Sequence, residues 1–464
     1  MRNRRPKKPK KQNALQKARL SNRPNLSVGQ KVLAIFVELF VVLSVVSLFV
    51  ALAVNIGPKN SRNSMMSAKP LPMRTTVGGS IVVDYQTGQV LMSHNEHKLV
   101  HNGSTSKLIT AYLVQKAIKE GKITWDQKVT PPQIVITAGL GSNLANIPLL
   151  NEQYSVATLY SYMLNLSANS AAATLGNLVA GNQAKFVTLA NKTLKSFGIP
   201  EKEYKIYNST GLSTENMLTL APKGLKKKDE NQLSAKALAT ITYRLVKDYP
   251  QSIERFDSND ITTPDGNLHV TTINNINRVY NLNGYANIEA IAPKTGTSQK
   301  GGISLTGLFR NKSTGREFIA TTLNGAAWNF DPGPVWTLTK NFVIDADLAG
   351  HTFTFYPGQQ IDGAKSIDLM NTVQTSTKLY VKDKVNIWVR SSNPKTVPSV
   401  DVGNFNTKIT QMDSNDILMA RVNNVSEAEK LYGISQDITV PLYSKQTLTE
   451  NWNPFAKFWR LLIH

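Results

Sequence analysis

The chain has 464 residues and no cysteine. Disulfides, a thiolate nucleophile and thiolate metal sites are therefore excluded. Histidine is scarce, with six in the whole chain, and no His-Glu-x-x-His occurs. Three of the six, His94, His97 and His101, fall in a hairpin-to-helix connection. They have no helical framework to fix a metal geometry. They read as surface loop residues, and no metal or other cofactor is expected. Repeats of fixed period are absent. Acids are few: 31 Asp and Glu stand against 53 Lys and Arg, a net charge of +22. Residues 1–31 alone hold eleven of those bases and no acid, leaving 42 bases against the same 31 acids.

One long apolar run follows that basic tail. Residues 32–56, VLAIFVELFVVLSVVSLFVALAVNI, carry a single charge, Glu38. About 20 apolar residues span a bilayer core. The bases just before the run place it as a membrane helix with its N-terminus in the cytoplasm. Ala51-Leu-Ala53 also fits a signal-peptidase site, but an n-region of 31 residues favours a retained anchor over a cleaved signal. Everything after residue 56 is then expected outside the cytoplasm. A basic tail tethered in this way is not expected to bind nucleic acid.

Residues 57–75 are polar, Pro-containing and aperiodic, and read as a linker. GGSIVVDYQTGQVLMSHN then reads as a β-hairpin about a YQTG turn. A helix starts near Ser104 and stops at Gly121. Two more segments, SVATLYSYMLNL and AKFVTLANKTLKSFG, carry apolar residues at helical spacing. ISLTGLFRNKSTGREFIATTL, residues 303–323, is a second hairpin. Helices flanked by two hairpins suit a sheet assembled from both chain ends and covered by helices, over about 76–348. From about 349 to 446, short aromatic and β-branched segments separated by turns predict a small all-β domain. Residues 447–464 end in NWNPFAKFWRLLIH, with Trp452, Phe455, Trp459 and Leu462 on one helical face. That face suits a membrane interface or packing on its own domain.

Three short motifs could carry chemistry. Ser104-Thr-Ser-Lys107 puts a hydroxyl one helical turn before a lysine. A serine is a weak nucleophile and needs a base within hydrogen-bond reach. A buried lysine beside another cation can be that base. Taken alone, Ser104 reads better as a helix cap followed by a solvated Lys107. The chain has a second Ser-x-x-Lys, Ser392-Asn-Pro-Lys395, whose proline blocks a regular helical turn. Ser167-Ala-Asn169 follows an apolar helix and also fits simple turn chemistry. Ser-x-Asn recurs at Ser61, Ser93 and Ser391, outside the helical region. Lys294-Thr-Gly296 occurs once and leads, through Thr297, into the second hairpin. A glycine there lets another backbone approach a strand closely. An ordinary turn is the competing reading.

Taken in order, Ser-x-x-Lys, Ser-x-Asn and Lys-Thr-Gly are the signature of penicillin-binding proteins and serine β-lactamases. The stretch SIVVDYQTGQVLMSHNEHKLVHNGSTSKLITAYLV resembles the opening of the low-molecular-mass penicillin-binding proteins, the serine-type D-alanyl-D-alanine carboxypeptidases. The anchor, trailing β-domain and amphipathic end are also similar to that family. The resemblance implies an α/β catalytic domain, an antiparallel sheet covered by helices plus a helical subdomain. It implies catalytic roles for Ser104, Lys107, Ser167 and Asn169, and substrate binding by Lys294, Thr295, Gly296 and Thr297. The implied partners are peptidoglycan stem peptides ending in D-Ala-D-Ala, and β-lactam antibiotics that acylate Ser104. Three positions depart from the family pattern: Ala168 where glycine is common, Ser170 where an acid is, and Thr297 where Phe or His is. These bear on specificity and rate. A β-lactamase is disfavoured by the lack of a Glu-x-x-Leu-Asn segment between Ser167 and Lys294. A transpeptidase or endopeptidase on the same site, and a catalytically inactive wall-binding homologue, are the other readings.

Overall fold

The computed structural model describes residues 70–454 apart from 74, 139–141, 257–260, 265–269, 274–280, 282–285, 370–371, 392, 394–396, 403–415, 424–427 and 435–436. The basic tail, the apolar run 32–56, Ser392, Pro394 and Lys395 of the second Ser-x-x-Lys, and residues 455–464 of the amphipathic end therefore lie outside the described residues. No helix among the described residues is long and apolar enough to cross a membrane. The described residues belong to one compact unit.

Its centre is a six-stranded sheet. In chain order the strands are β1 (Leu71–Pro72), β2 (Gly79–Asp84), β3 (Val90–His94), β4 (Ile288–Ser298), β5 (Gly302–Asn311) and β6 (Glu317–Ala326). Their order across the sheet is β1-β3-β2-β6-β5-β4. The two expected hairpins meet at β2 and β6, which pair antiparallel from Gly79–Leu323 to Asp84–Phe318. A sheet closed by both chain ends is thus present, with β4 as its outer strand. The linker expected over 57–75 ends early, because Leu71 and Pro72 pair parallel with Met92 and Ser93. Two residues are too few for strand alternation to register in sequence. Proline fits there because an edge position does not need its missing N–H.

Both sheet faces are covered, which explains why β2 is buried along its whole length. Side chains alternate across a strand. Ile81 and Val83 enter one core and Val82 the other. The larger core lies under α1 (Lys107–Lys119), α2 (Val156–Asn165), α3 (Asn169–Ala180), α4 (Gln183–Ser196) and α5 (Ala235–Asp248). The opposite face is covered by α6 (Gly333–Leu348), through Val335, Trp336, Phe342 and Val343. Burying a side chain of this kind stabilises the fold by about 1.5–3 kcal/mol. Helix α1 is buried on nearly every side, as an all-round apolar helix must be. Gly121 ends it at φ +69, with its N–H on the Ile118 carbonyl.

The C-terminal part is all β, with strands β7 (His351–Phe355), β8 (Ser366–Asp368), β9 (Ser376–Val381), β10 (Val385–Val389), β11 (Val400–Asp401), β12 (Leu418–Val422) and β13 (Thr439–Ser444). They form a pair, β7-β10, and a five-stranded sheet, β8-β9-β13-β12-β11. Burial alternates along β9 and β13, and Leu379, Val381, Val440 and Leu442 enter a separate core. This part is not independent of the first. Residues 429–432 lie beside the β2–β3 turn, with Val90 N–H on the Glu429 carbonyl at 2.7 Å and Leu431 N–H on the Gly88 carbonyl at 3.0 Å. Lys236 pairs with Glu429, and Tyr432 Oη donates to the buried Glu203 carboxylate.

Candidate active site

Ser104 does not begin an α-helix. Gly103–Ser106 form a single 3-10 turn, and α1 starts at Lys107. Neither the Asn102 nor the Ser106 side chain caps these turns. The Ser104 hydroxyl instead meets Lys107 Nζ at 2.7 Å. The cap reading of Ser104 therefore gives way to a serine–lysine pair.

Lys107 has no exposed surface. Its Nζ has two further acceptors, Asn169 Oδ1 at 2.6 Å and the Thr210 carbonyl at 2.8 Å. Asn169 Nδ2 donates to the Asn143 carbonyl at 2.6 Å, which fixes the amide with its oxygen towards Lys107. Asn169 reaches this point because Ser167 adopts φ +58, ending one helix and turning the chain into α3 two residues later. Ser167-Ala-Asn169 is thus both a turn and a site element. Ala168 is fully buried.

Lys294, 1% exposed, supplies the second buried ammonium. Its Nζ lies 3.0 Å from Ser167 Oγ and 2.9 Å from the Thr295 carbonyl. Burial, reinforced by the charge of Lys294, holds the Lys107 amine well below the usual lysine range. Burial brings Lys294 itself down to about 7. Two ammonium groups in one dry pocket repel, so at least one is readily neutral near physiological pH.

Lys294-Thr-Gly296 lies on β4, the outer strand, as expected. Thr295 is half-buried and Thr297 exposed. The need for glycine is steric. A Cβ on Gly296 would fall 2.3 Å from the Asn102 carbonyl and 2.7 Å from the Thr105 nitrogen. Gly103, at φ +51, faces the same strand from the other side, and its Cβ would fall 2.4 Å from the Thr297 carbonyl. These two glycines let β4 press against the Ser104 turn.

The sequence pattern of the D-alanyl-D-alanine carboxypeptidase family, Peptidase S11, matches residues 65–327. The chain belongs to this family. Among curated relatives, the D-alanyl-D-alanine carboxypeptidase DacA of Haemophilus influenzae is 28% identical over 192 residues, 41% of this chain and 44% of that protein. DacD of Salmonella typhimurium is 29% identical over 157 residues, 33% of this chain and 40% of that protein. The matches thus span less than half the length of these relatives. Among solved structures, a peptidoglycan synthesis regulatory factor (PBP3) from Streptococcus pneumoniae has the same fold. It superposes with a TM-score of 0.68 at 24% identity, covering 81% of this chain and all of that one.

The family motifs converge here. Ser104, Lys107 and Asn169 form one hydrogen-bonded group and Ser167 and Lys294 a second, the charge of Lys294 acts on Lys107, and Thr295, Gly296 and Thr297 follow Lys294 along β4. What the sequence did not reveal is the Thr210 carbonyl. It is held by a polar knot in which Asn208 Oδ1 accepts from Thr210 N, Thr210 Oγ1 and Gly211 N. Asn231 in turn fixes Asn208. The only signal was the turn-like run Asn208-Ser-Thr-Gly211. His97 and His101 make no hydrogen bond to Ser104, Lys107, Ser167, Asn169 or Lys294. His97 meets Glu203 at 2.8 Å and Tyr432 at 3.1 Å, while His101 is 3.8 Å from Glu230. Glu96, His97 and Glu429 come close together, but Glu429 already pairs with Lys236.

Proposed function

We propose that the protein is a serine-type D-alanyl-D-alanine carboxypeptidase that trims peptidoglycan stem peptides and is acylated at Ser104 by β-lactams. The observation that carries this reading is the coordination of Lys107. Asn169 Oδ1 and the Thr210 carbonyl can only accept hydrogen bonds. In a neutral amine they take the two N–H groups, so the lone pair faces Ser104 Oγ. Lys107 is then a base aimed at a nucleophile.

Ser104 Oγ attacks the carbonyl between the two terminal D-alanines as its proton passes to Lys107. The Ser104 and Thr297 backbone N–H groups receive the oxyanion. As the C–N bond breaks, the proton moves through Ser167 to the leaving D-alanine nitrogen. Lys294, Thr295 and Thr297 hold the terminal carboxylate. Water then cleaves the Ser104 ester and returns a proton to the serine. Among the described residues no carboxylate hydrogen-bonds to Ser104, Lys107, Ser167 or Lys294. A penicilloyl ester therefore lacks a ready base for its deacylating water, which favours a penicillin-binding protein over a β-lactamase.

The apolar run 32–56 anchors the protein in the cell membrane, and the basic tail keeps its N-terminus cytoplasmic. The catalytic part then faces the cell wall. The test of the activity is D-alanine release from a D-Ala-D-Ala peptide. Wild type is expected to release it and Ser104→Ala is not; equal release by both would sink the reading. Fractionation of full-length and 57–464 forms tests the anchor, and equal membrane recovery would contradict it.

A further inference from the structure

A group of lysines stands near one end of the candidate site. Lys205, Lys226, Lys227, Lys228 and Lys300 are all exposed. Among the described residues none of these ammonium groups is paired with a carboxylate. Lys300 lies in the turn just past β4, and its Nζ donates to the Lys228 carbonyl. Burial, with the charges of Lys300 and Lys205, lowers the His101 imidazole pKa.

This lysine loop belongs to the framework of the site. Its backbone pairs with the segment that follows Thr210. Thr214 N–H meets the Asp229 carbonyl at 2.8 Å, and Glu215 N–H meets the Lys227 carbonyl at 2.9 Å. The nearby acids do not cancel the charge. Glu230 is buried, and burial pushes its carboxyl up, against the opposing pull of a hydrogen bond from Ser298 and of the Lys300 charge. Asp229 Oδ2 is engaged by the Lys226 N–H at 2.9 Å, and Glu215 remains exposed.

Strand direction says what passes this rim. With the terminal carboxylate at Lys294–Thr295 and the reacting carbonyl at the Thr297 N–H, the rest of the substrate runs past Ser298 towards Lys300. That distance is about two residues of extended peptide at ~3.3 Å each. We propose that Lys228 and Lys300, supported by Lys205 and Lys227, form a cationic rim that binds free carboxylates of the stem peptide upstream of the reacting bond. The enzyme then selects acidic stems over stems whose carboxylates are amidated. The inference rests on the carboxypeptidase reading and specifies its substrate.

The test uses the full chain and two synthetic pentapeptides ending in D-Ala-D-Ala. They differ only in carrying a free α-carboxylate or an α-amide on the second residue. Wild type is expected to favour the acid in kcat/KM about fivefold, as one or two partly exposed ion pairs allow. The preference should shrink at about 1 M salt, where the screening length is ~3 Å. The double variant Lys228→Gln, Lys300→Gln should lose it through KM of the acidic peptide. The amidated peptide and penicillin acylation should be unaffected, and Lys→Arg at both positions should restore the preference. No release from either peptide overturns the carboxypeptidase reading and the rim together. Equal release of D-alanine from both overturns the rim alone. A preference that survives in the glutamine variant overturns it as well. So does an unchanged ratio accompanied by lost binding to phosphatidylglycerol vesicles, which makes the rim a membrane contact.

Discussion

Lys107 Nζ sits 2.7 Å from Ser104 Oγ while the whole lysine side chain is closed off from solvent. A fully buried lysine is costly unless its charge is paired or lost. Among the described residues no carboxylate pairs with it; the charge of a second lysine, Lys294, acts on it instead and favours the neutral base. The site thus gives up stability for a base that works near neutral pH.

Lys107→Met keeps the volume and removes the base. Acylation by labelled penicillin should fall by about 10²–10⁴, the usual contribution of a positioned proton acceptor. Thermal stability should hold or rise, because a poorly solvated amine is replaced by an apolar chain. An active Lys107→Met protein would rule out this assignment.

The pH dependence of acylation should carry the signature of both lysines. Only neutral Lys107 accepts the serine proton, so the rate rises with pH as the pair loses protons. Lys294→Gln removes the neighbouring charge that helps keep Lys107 neutral. The rising limb should then move to higher pH, apart from any loss in maximum rate. Stability follows the same linkage. Lys294 titrates at about 7 in the fold against 10.5 in an unfolded chain. Between those values the unfolded chain binds more protons, so stability should rise with pH across this window. Below 7 the full cost of the buried charge applies. In Lys294→Met the slope should flatten, as measured by urea unfolding at a series of pH values.

Gly296→Ala tests the steric fit of β4 against the Ser104 turn. The added methyl meets backbone at 2.3 Å and 2.7 Å, atoms that cannot swing away. Overpacking of this kind costs about 1–3 kcal/mol. Activity should fall more than stability alone explains, since the displaced Thr297 N–H would serve the oxyanion. Gly307→Ala also meets backbone, at 2.8 Å from Pro293 Cα, but on the neighbouring strand. It should cost stability with a smaller loss of rate. Equal rate losses in the two variants would contradict this role for Gly296.

Arg316 probes stability away from the site. It is mostly buried between Asp84, at 3.2 Å, and Asp347, and its guanidinium stacks over Phe318 and Trp388. Arg316→Met leaves the buried Asp84 and the half-buried Asp347 without their cation, at a cost of about 3–5 kcal/mol. Melting temperature should drop, while the acylation rate of the protein still folded stays unchanged. A changed acylation rate would couple this cluster to the site.

The side chains that the fold gathers around Ser104 were legible in sequence. Ser104, Lys107, Asn169 and Lys294 are distinctive in type and order, and both long hairpins announce themselves by alternation. The Thr210 and Asn143 carbonyls were not legible, because every residue has a carbonyl and only the fold says which one points at Lys107. Strand β1 was missed for want of length. The start of α1 was displaced by three residues, because a 3-10 turn and the first turn of an α-helix share the same sequence signals. Lys300 and Lys228 lie 72 residues apart and are joined only by the turn after β4.

The central claim is that Ser104 is a nucleophile activated by Lys107. Intact-mass analysis with peptide mapping after incubation with benzylpenicillin tests it most directly. A single penicilloyl adduct on Ser104 is expected. It should be lost in Ser104→Ala, strongly slowed in Lys107→Met, and persist once excess drug is removed. An adduct on another residue, or none on wild type, would contradict the account.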